Sequence, residues 1–569
     1  MKKYRKVLIA VGLGLLLVFV LTRSDEPQIA NGSTLVVNLD GAYIESTAVP
    51  LLNRILGDTG VPFAALQSEL KKAERDERLA NVVLRIRMPQ LGWAQAQELR
   101  DSISDLRGAG KHTLAYLETA SFVSNILYYI ATSADEIRMS PASMVGVIGL
   151  AGEYLFLGAP LEEIGVDFEV ARVGRYKTYA DMLAGSSMSE ANREQANSLL
   201  DSINDQFVAG IAEGRGLSKE FVERAIDSAP MLPYELKGLG FVDGVGFFEE
   251  TLESLGGSRV DSGEYARVAP ASVGFEPVAK FALIYGSGNV IVGRGRSTPS
   301  GGLVLASDTV SKAFKDAATD PSIDAIIFRI DSPGGSVLAS DLVWHAIELA
   351  KTHGKPVIAS MANAAASGGY YVAGAADAIV ASPSTITGSI GVIAVRPVIQ
   401  ELLEKLEVGV EVLARGQHAE MFVSSQPMTK ASRERFNDQV EDIYQLFIDR
   451  VATSRGMTVE RVDELGQGRV WTGEQALENG LVDALGGLSE AVSLAMGRLG
   501  LDPAADVALI PFPPPLSFAD QIASAFDQAA IRAAAKPSLP GVLGRVKSWL
   551  EVATWERPML LPPFVIEIR

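Results

Sequence analysis

The chain contains one domain twice, and no other feature limits its possible folds as strongly. Tyr128–Leu150 reads YYIATSADEIRMSPASMVGVIGL, and Tyr370–Val392 reads YYVAGAADAIVASPSTITGSIGV. Whatever architecture one copy adopts, the other shares it, and 569 residues are too many for one core. The copies also differ in complementary ways. The second has Ser367 followed by Gly368 and Gly369, where the first has Asn125, Ile126 and Leu127. The first has Gly174-Arg175-Tyr176-Lys177, where the second has Gly416-Gln417-His418-Ala419. One copy keeps a glycine-flanked serine and the other keeps a lysine.

Each repeat alternates strand and helix signals. In the second, Lys280–Tyr285 and Ile323–Ile330 read as buried strands, Asp331-Ser332-Pro333-Gly334-Gly335 as a turn and Leu338–Lys351 as a helix. Pro356–Ser360 follows as a third strand and Gly368–Ala376 as a helix. The first repeat echoes this with Leu79–Ile86, Trp93–Leu106 and Thr113–Tyr116. The pattern predicts an α/β fold of βαβ-type units. Helical extensions then follow, Met188–Arg215 and Met428–Arg455. The expected division is a first repeat over 31–257, a linker from Asp261 to Phe275, a second repeat over 277–499, and a Pro/Ala-rich tail over 500–569 that acts as a docking arm or strand, with a membrane-surface role as the competing reading.

The N-terminus predicts a membrane location. Residues 1–6 form a basic stub with Lys2, Lys3, Arg5 and Lys6, and an apolar run begins at Val7. Residues 7–22 are expected to form a transmembrane signal anchor, because Phe19–Arg23 lacks the small-residue pattern of a cleavage site; cleavage near Ala30 is the competing reading. The basic flank places the N-terminus in the cytoplasm and the body across the membrane. A net charge of −18 without a basic stripe argues against nucleic acid as a partner. With no cysteine, disulfides, thiol nucleophiles and thiolate metal sites are excluded. His112, His345, His353 and His418 have no metal-ligand spacing, so neither metal nor cofactor is expected.

The chemistry concentrates on a few positions. Ser367 follows a strand and opens a helix among small residues, where helix-start N–H groups favour negative charge. The same pattern also describes a plain N-cap. Gly334 and Gly335 end a strand, and one of their N–H groups together with that of Gly368 would form a two-donor oxyanion hole. Lys177 is the candidate base, provided burial strips its proton; the ordinary alternative is a surface lysine. Ser389 can orient the lysine, and the first repeat has Val147 there.

These motifs, Arg172–Lys177, Asp331–Ser336, Ala365–Tyr370 and Thr387–Gly391, occur in the order found in the long, two-repeat form of bacterial signal peptide peptidase A (protease IV), which the chain resembles from the anchor to about residue 500. The resemblance implies tandem Clp-protease/crotonase-like repeats. It implies Ser367 as nucleophile, Lys177 as general base, Ser389 orienting the lysine, and Gly368 with Gly334 or Gly335 binding the oxyanion. It further implies an inner-membrane endopeptidase with a periplasmic catalytic body, a homotetramer that degrades remnant signal peptides. Two other classes fit parts of the pattern: a crotonase-like acyl-CoA enzyme, and a non-catalytic membrane-associated scaffold.

Overall fold

The computed structural model describes residues 26–46, 60–295 and 302–514, and the backbone of Met559 and Leu560. The first repeat is built on a sheet in the spatial order Arg259–Asp261, Ser33–Ile44, Leu79–Gln90, His112–Leu117, Glu136–Met139, Gly244–Val245. Every pairing along this order is parallel. The sequence explains why. Val82, Val83 and Leu84 are consecutive and all fully buried, so the strand has no solvent face, as in parallel sheets covered by helices on both sides.

The second repeat has the corresponding sheet in the order Val470–Thr472, Ile386–Gly388, Val357–Ala366, Ala325–Ser332, Pro277–Ser287, Asp506–Phe512. Its pairings are parallel except that between Ile386–Gly388 and Val470–Thr472. Each repeat then sends out a 26-residue helix, Glu190–Arg215 and Lys430–Arg455. Ser189 and Thr429 cap their starts, and left-handed Gly216 and Gly456 end them.

A third, mixed sheet joins the repeats. Its order is Val304–Ala306, Asn289–Ile291, Gly335–Ser336, Met559–Leu560, Val392–Val398, Asp167–Val173. The last strand belongs to the first repeat and pairs antiparallel with the second along its whole length, from Val173 opposite Val392 to Asp167 opposite Val398. Ala171 packs into the core of the second repeat. The joint also buries charge. Arg329, 1% exposed, donates from Nη2 to Glu45 Oε1 at 2.8 Å and Glu98 Oε1 at 2.7 Å, both carboxylates coming from the first repeat.

Three expectations are revised or left aside. The segment expected to be a linker is folded: Arg259–Asp261 is a strand of the first sheet, Ser262–Tyr265 a helical turn, and Tyr265 and Val268 are buried. Its polar and proline content signals turns, and the core contacts come from these two apolar residues. The region after 500 begins with Asp506–Phe512, an edge strand paired in parallel with Pro277–Ser287. The expected anchor over 7–22 lies outside the described residues; among the described residues, no helix is long and apolar enough to cross a membrane.

Candidate active site

The strand Asp167–Val173 delivers the lysine. Two residues' worth of turn at Gly174 and Arg175 lead from it to Tyr176 and Lys177. Gly174 has φ +107°, and a Cβ there would stand 2.3 Å from the Gln467 carbonyl carbon, so the turn needs glycine. Tyr176 N donates to Gln467 O at 2.8 Å. Gly468 is equally constrained: at φ +76°, its Cβ would lie 2.5 Å from Lys177 N. The loop 466–469 of the second repeat therefore wraps the lysine of the first.

Ser367 ends the strand Val357–Ala366 and precedes the helix Gly368–Ala373. Its φ of +56° and ψ of −113° put a residue with a side chain in a disfavoured conformation, which costs on the order of 1–3 kcal/mol. It stands at the N-cap position, yet its side chain makes no capping hydrogen bond. Ser336, by contrast, caps its helix normally, accepting from Ala339 N at 3.2 Å.

The uncapped hydroxyl faces the lysine. Lys177 Nζ lies 2.7 Å from Ser367 Oγ, 2.9 Å from Ser389 Oγ and 2.9 Å from Ser389 O. All three residues are fully buried. Burial pushes the Lys177 ammonium well below the usual lysine range, and among the described residues no carboxylate is a hydrogen-bond partner of it. Ser389 is itself held at φ +53°, with its N–H donating to Arg469 O at 2.6 Å.

The glycines converge on the same place. A Cβ on Gly368 would meet Gly335 N at 3.1 Å and Gly334 Cα at 3.2 Å. Gly334 N donates to Ser332 Oγ at 3.2 Å, so its N–H is already engaged. Asp331 Oδ1 accepts from Ala364 N at 3.0 Å and ties this turn to the strand carrying Ser367. Its carboxyl is pushed up to about 6, by burial first and by Glu45 second.

Ser367, Lys177, Ser389, Gly334, Gly335 and Gly368 are thus brought together across two repeats. The sequence reading gave no role to Asp331, which supports the site through its carboxylate, and missed Gly468 and Arg469, which support it through backbone. Glycine at 468 was the available signal, but a lone glycine in a loop rarely announces what approaches it. His345 is exposed on its helix, and His418 Nδ1 lies 3.2 Å from Ser432 Oγ.

Comparison with known proteins matches the model for peptidase family S49 at residues 106–259 and 349–502, one stretch in each repeat. The chloroplastic serine protease SPPA of Arabidopsis thaliana is 34% identical over 487 residues, spanning 83% of this chain and 70% of that protein. Protease 4 of Haemophilus influenzae is 29% identical over 530 residues, spanning 85% and 83%. Protease 4 of Salmonella typhi is 28% identical over 510 residues, spanning 83% and 79%.

Proposed function

From the premise that this chain belongs to peptidase family S49 and is a serine peptidase, we propose that it is an endopeptidase whose nucleophile and base come from different repeats. The observation that carries this reading is the 2.7 Å contact between Lys177 Nζ and Ser367 Oγ, buried and, among the described residues, without a carboxylate partner. A neutral amine there takes the serine proton as Oγ attacks the scissile carbonyl. Gly335 N–H and Gly368 N–H receive the oxyanion; Gly334 supports the turn, its N–H being held by Ser332. Lys177 then protonates the leaving amine, and water releases the acyl group. Ser389 holds the amine through its hydroxyl and carbonyl.

The substrates in this reading are extended apolar peptides, remnant signal peptides among them, that enter as a strand. The chain is held in the inner membrane by residues 7–22 with its body periplasmic, and the repeats have the Clp-protease/crotonase-like build. Assembly into a homotetramer is supported by two segments that lie outside the sheets. Residues 408–415, the counterpart of the joining strand, lie outside any strand, with Val408, Val410 and Leu413 exposed; so do Leu150 and 153–157, where Leu155 is exposed. One repeat offers what the other lacks, so copies can join end to end as the two repeats join within the chain.

The test is cleavage of a quenched apolar peptide by the wild type and by Ser367→Ala and Lys177→Ala. Each variant is expected to lose at least about 10⁴-fold in kcat with unchanged thermal unfolding. Near-full activity in Lys177→Ala would place the base elsewhere.

A further inference from the structure

One residue before Lys177, the two repeats meet in a polar clamp. Tyr176 donates from its hydroxyl to Glu194 Oε1 at 2.7 Å. Arg469, from the second repeat, donates from Nη1 to the same carboxylate oxygen at 2.9 Å and to the Tyr176 hydroxyl at 3.1 Å. Its guanidinium carbon lies 4.9 Å from the centre of the Tyr176 ring and 4.5 Å from that of Trp471. Arg175 approaches the same tyrosine at 4.5 Å and donates to Glu194 Oε2 at 2.6 Å. The clamp reaches solvent and the amine does not. The Glu194 side chain is 42% exposed and that of Arg469 20%, whereas Lys177 is fully buried.

Backbone ties connect the clamp to the amine. Arg469 O accepts from Ser389 N at 2.6 Å, and Ser389 in turn accepts from Lys177 Nζ through its hydroxyl and carbonyl. Gln195, next to Glu194, donates to Tyr176 O at 3.0 Å and accepts from Val470 N at 3.4 Å. Other charges on these elements are engaged elsewhere, Arg172 with Asp181 at 2.9 Å and Asp463 with Gln467 and Tyr444. The other copy of this arrangement, where Ala419 replaces the lysine, lacks the clamp. Aligned on Gly240 and Gly480, Arg469 falls opposite Ala229, and Glu434, the counterpart of Glu194, pairs with Lys430 of its own helix at 3.8 Å.

We propose that Tyr176, Glu194 and Arg469 are positioning residues that close the second repeat over Lys177 and keep water from its amine. The inference rests on Lys177 as the base. A single exposed ion pair contributes little, but here a carboxylate, a phenol and a guanidinium share one junction whose backbone carries both the amine and its anchor. The clamp acts through hydration. An amine that water reaches keeps its proton to higher pH, so an opened clamp delays the neutral form and leaves Ser367 and the glycine turn in place.

The test is kcat and KM on the quenched apolar peptide against pH, for the full-length wild type in detergent and its Glu194→Ala and Arg469→Ala variants. Both variants are expected to move the rising limb of kcat/KM up by about one pH unit, which is about tenfold less activity on the limb. KM should hold, and the plateau at high pH should stay within about threefold of wild type. Arg461→Ala, which breaks an exposed pair with Glu464 at 3.0 Å on a neighbouring helix, should move nothing. Charge alone would act with opposite signs, since loss of a nearby carboxylate lowers an amine's pKa and loss of a nearby guanidinium raises it. Opposite shifts, unmoved limbs, an equal shift in Arg461→Ala, or loss by one factor at every pH overturns the clamp. A wild type that cleaves the peptide with no rising limb overturns Lys177 as base, and this inference with it.

Discussion

The two repeats make the same turn from strand into helix, and only one of them turns a side chain away from its own backbone there. In the second repeat, Ser367 is forced to φ +56° and its hydroxyl caps nothing. In the first, Ser124 holds the N-cap place at φ −131° and Asn125 is already helical. Asn125 spends its amide on structure, donating to Gly149 O at 2.8 Å and accepting from Ile148 N at 3.0 Å. The position that holds a strained hydroxyl bonded only to the lysine of the other repeat is thus a structural amide, tied to its own repeat's backbone, in the first. Backbone strain at this turn persists only where a side chain uses the resulting direction.

The largest test of the contrast concerns the arginine that each repeat carries on its second strand. Arg329 is buried between Glu45 and Glu98, whereas Arg85 is partly exposed against Glu118 at 2.8 Å. Arg329→Ala leaves two buried carboxylates unpaired and is expected to cost about 3–5 kcal/mol in denaturant unfolding. Arg85→Ala should cost about 1 kcal/mol or less. Equal costs would mean that the joint between repeats is not where the buried charge matters.

A smaller effect is expected at Ser389, whose counterpart is Val147. Ser389→Ala removes one of the three hydrogen bonds to Lys177 Nζ and keeps the carbonyl. Its kcat should fall by roughly 10–30-fold, equivalent to about 1.4–2 kcal/mol. Val147→Ser should leave kcat unchanged, because among the described residues no amine is hydrogen-bonded at the first-repeat turn. Activity restored to the full wild-type value in Ser389→Ala would leave the carbonyl as sufficient anchor.

The gentlest probe is pH. The Lys177 pKa is depressed by burial, so its reactive neutral form grows as pH rises. Below that pKa, kcat/KM is expected to rise about tenfold per pH unit and to level off well below 10.5. The stability sign agrees. A lysine depressed in the folded state binds its proton better when unfolded, so the folded state gains as pH rises towards the unfolded value and loses as pH falls through the folded one. A profile flat from mildly acidic to alkaline pH would remove Lys177 from the proton transfer.

Much of this was legible in the chain. The parallel sheets follow from runs such as Leu79–Ile86 and Ile323–Ile330, and the complementary serine and lysine from aligning the repeats. What the sequence did not reveal was the route by which the two meet. Residues 167–173 have only Val170 and Val173 as β-branched residues, too few to announce a strand, and their partner lies more than two hundred residues away. The support from Gly468 and Arg469 was hidden for the same reason: backbone contacts leave little trace in side-chain identity. The edge strand Asp506–Phe512 was lost behind its prolines, which an edge tolerates.

The distance along the chain between the two halves of the site also sets a clock. Lys177 precedes Ser367 by 190 residues. A chain emerging from the ribosome displays the amine long before the hydroxyl, and at about 5–20 residues per second the interval is on the order of ten seconds or more. Until the second repeat has been made and has closed over Gly174–Lys177, there is no buried amine beside a serine. In the proposed reading, a stalled chain that ends before Ser367 is therefore inert, and peptidase activity begins only once the second repeat has been made.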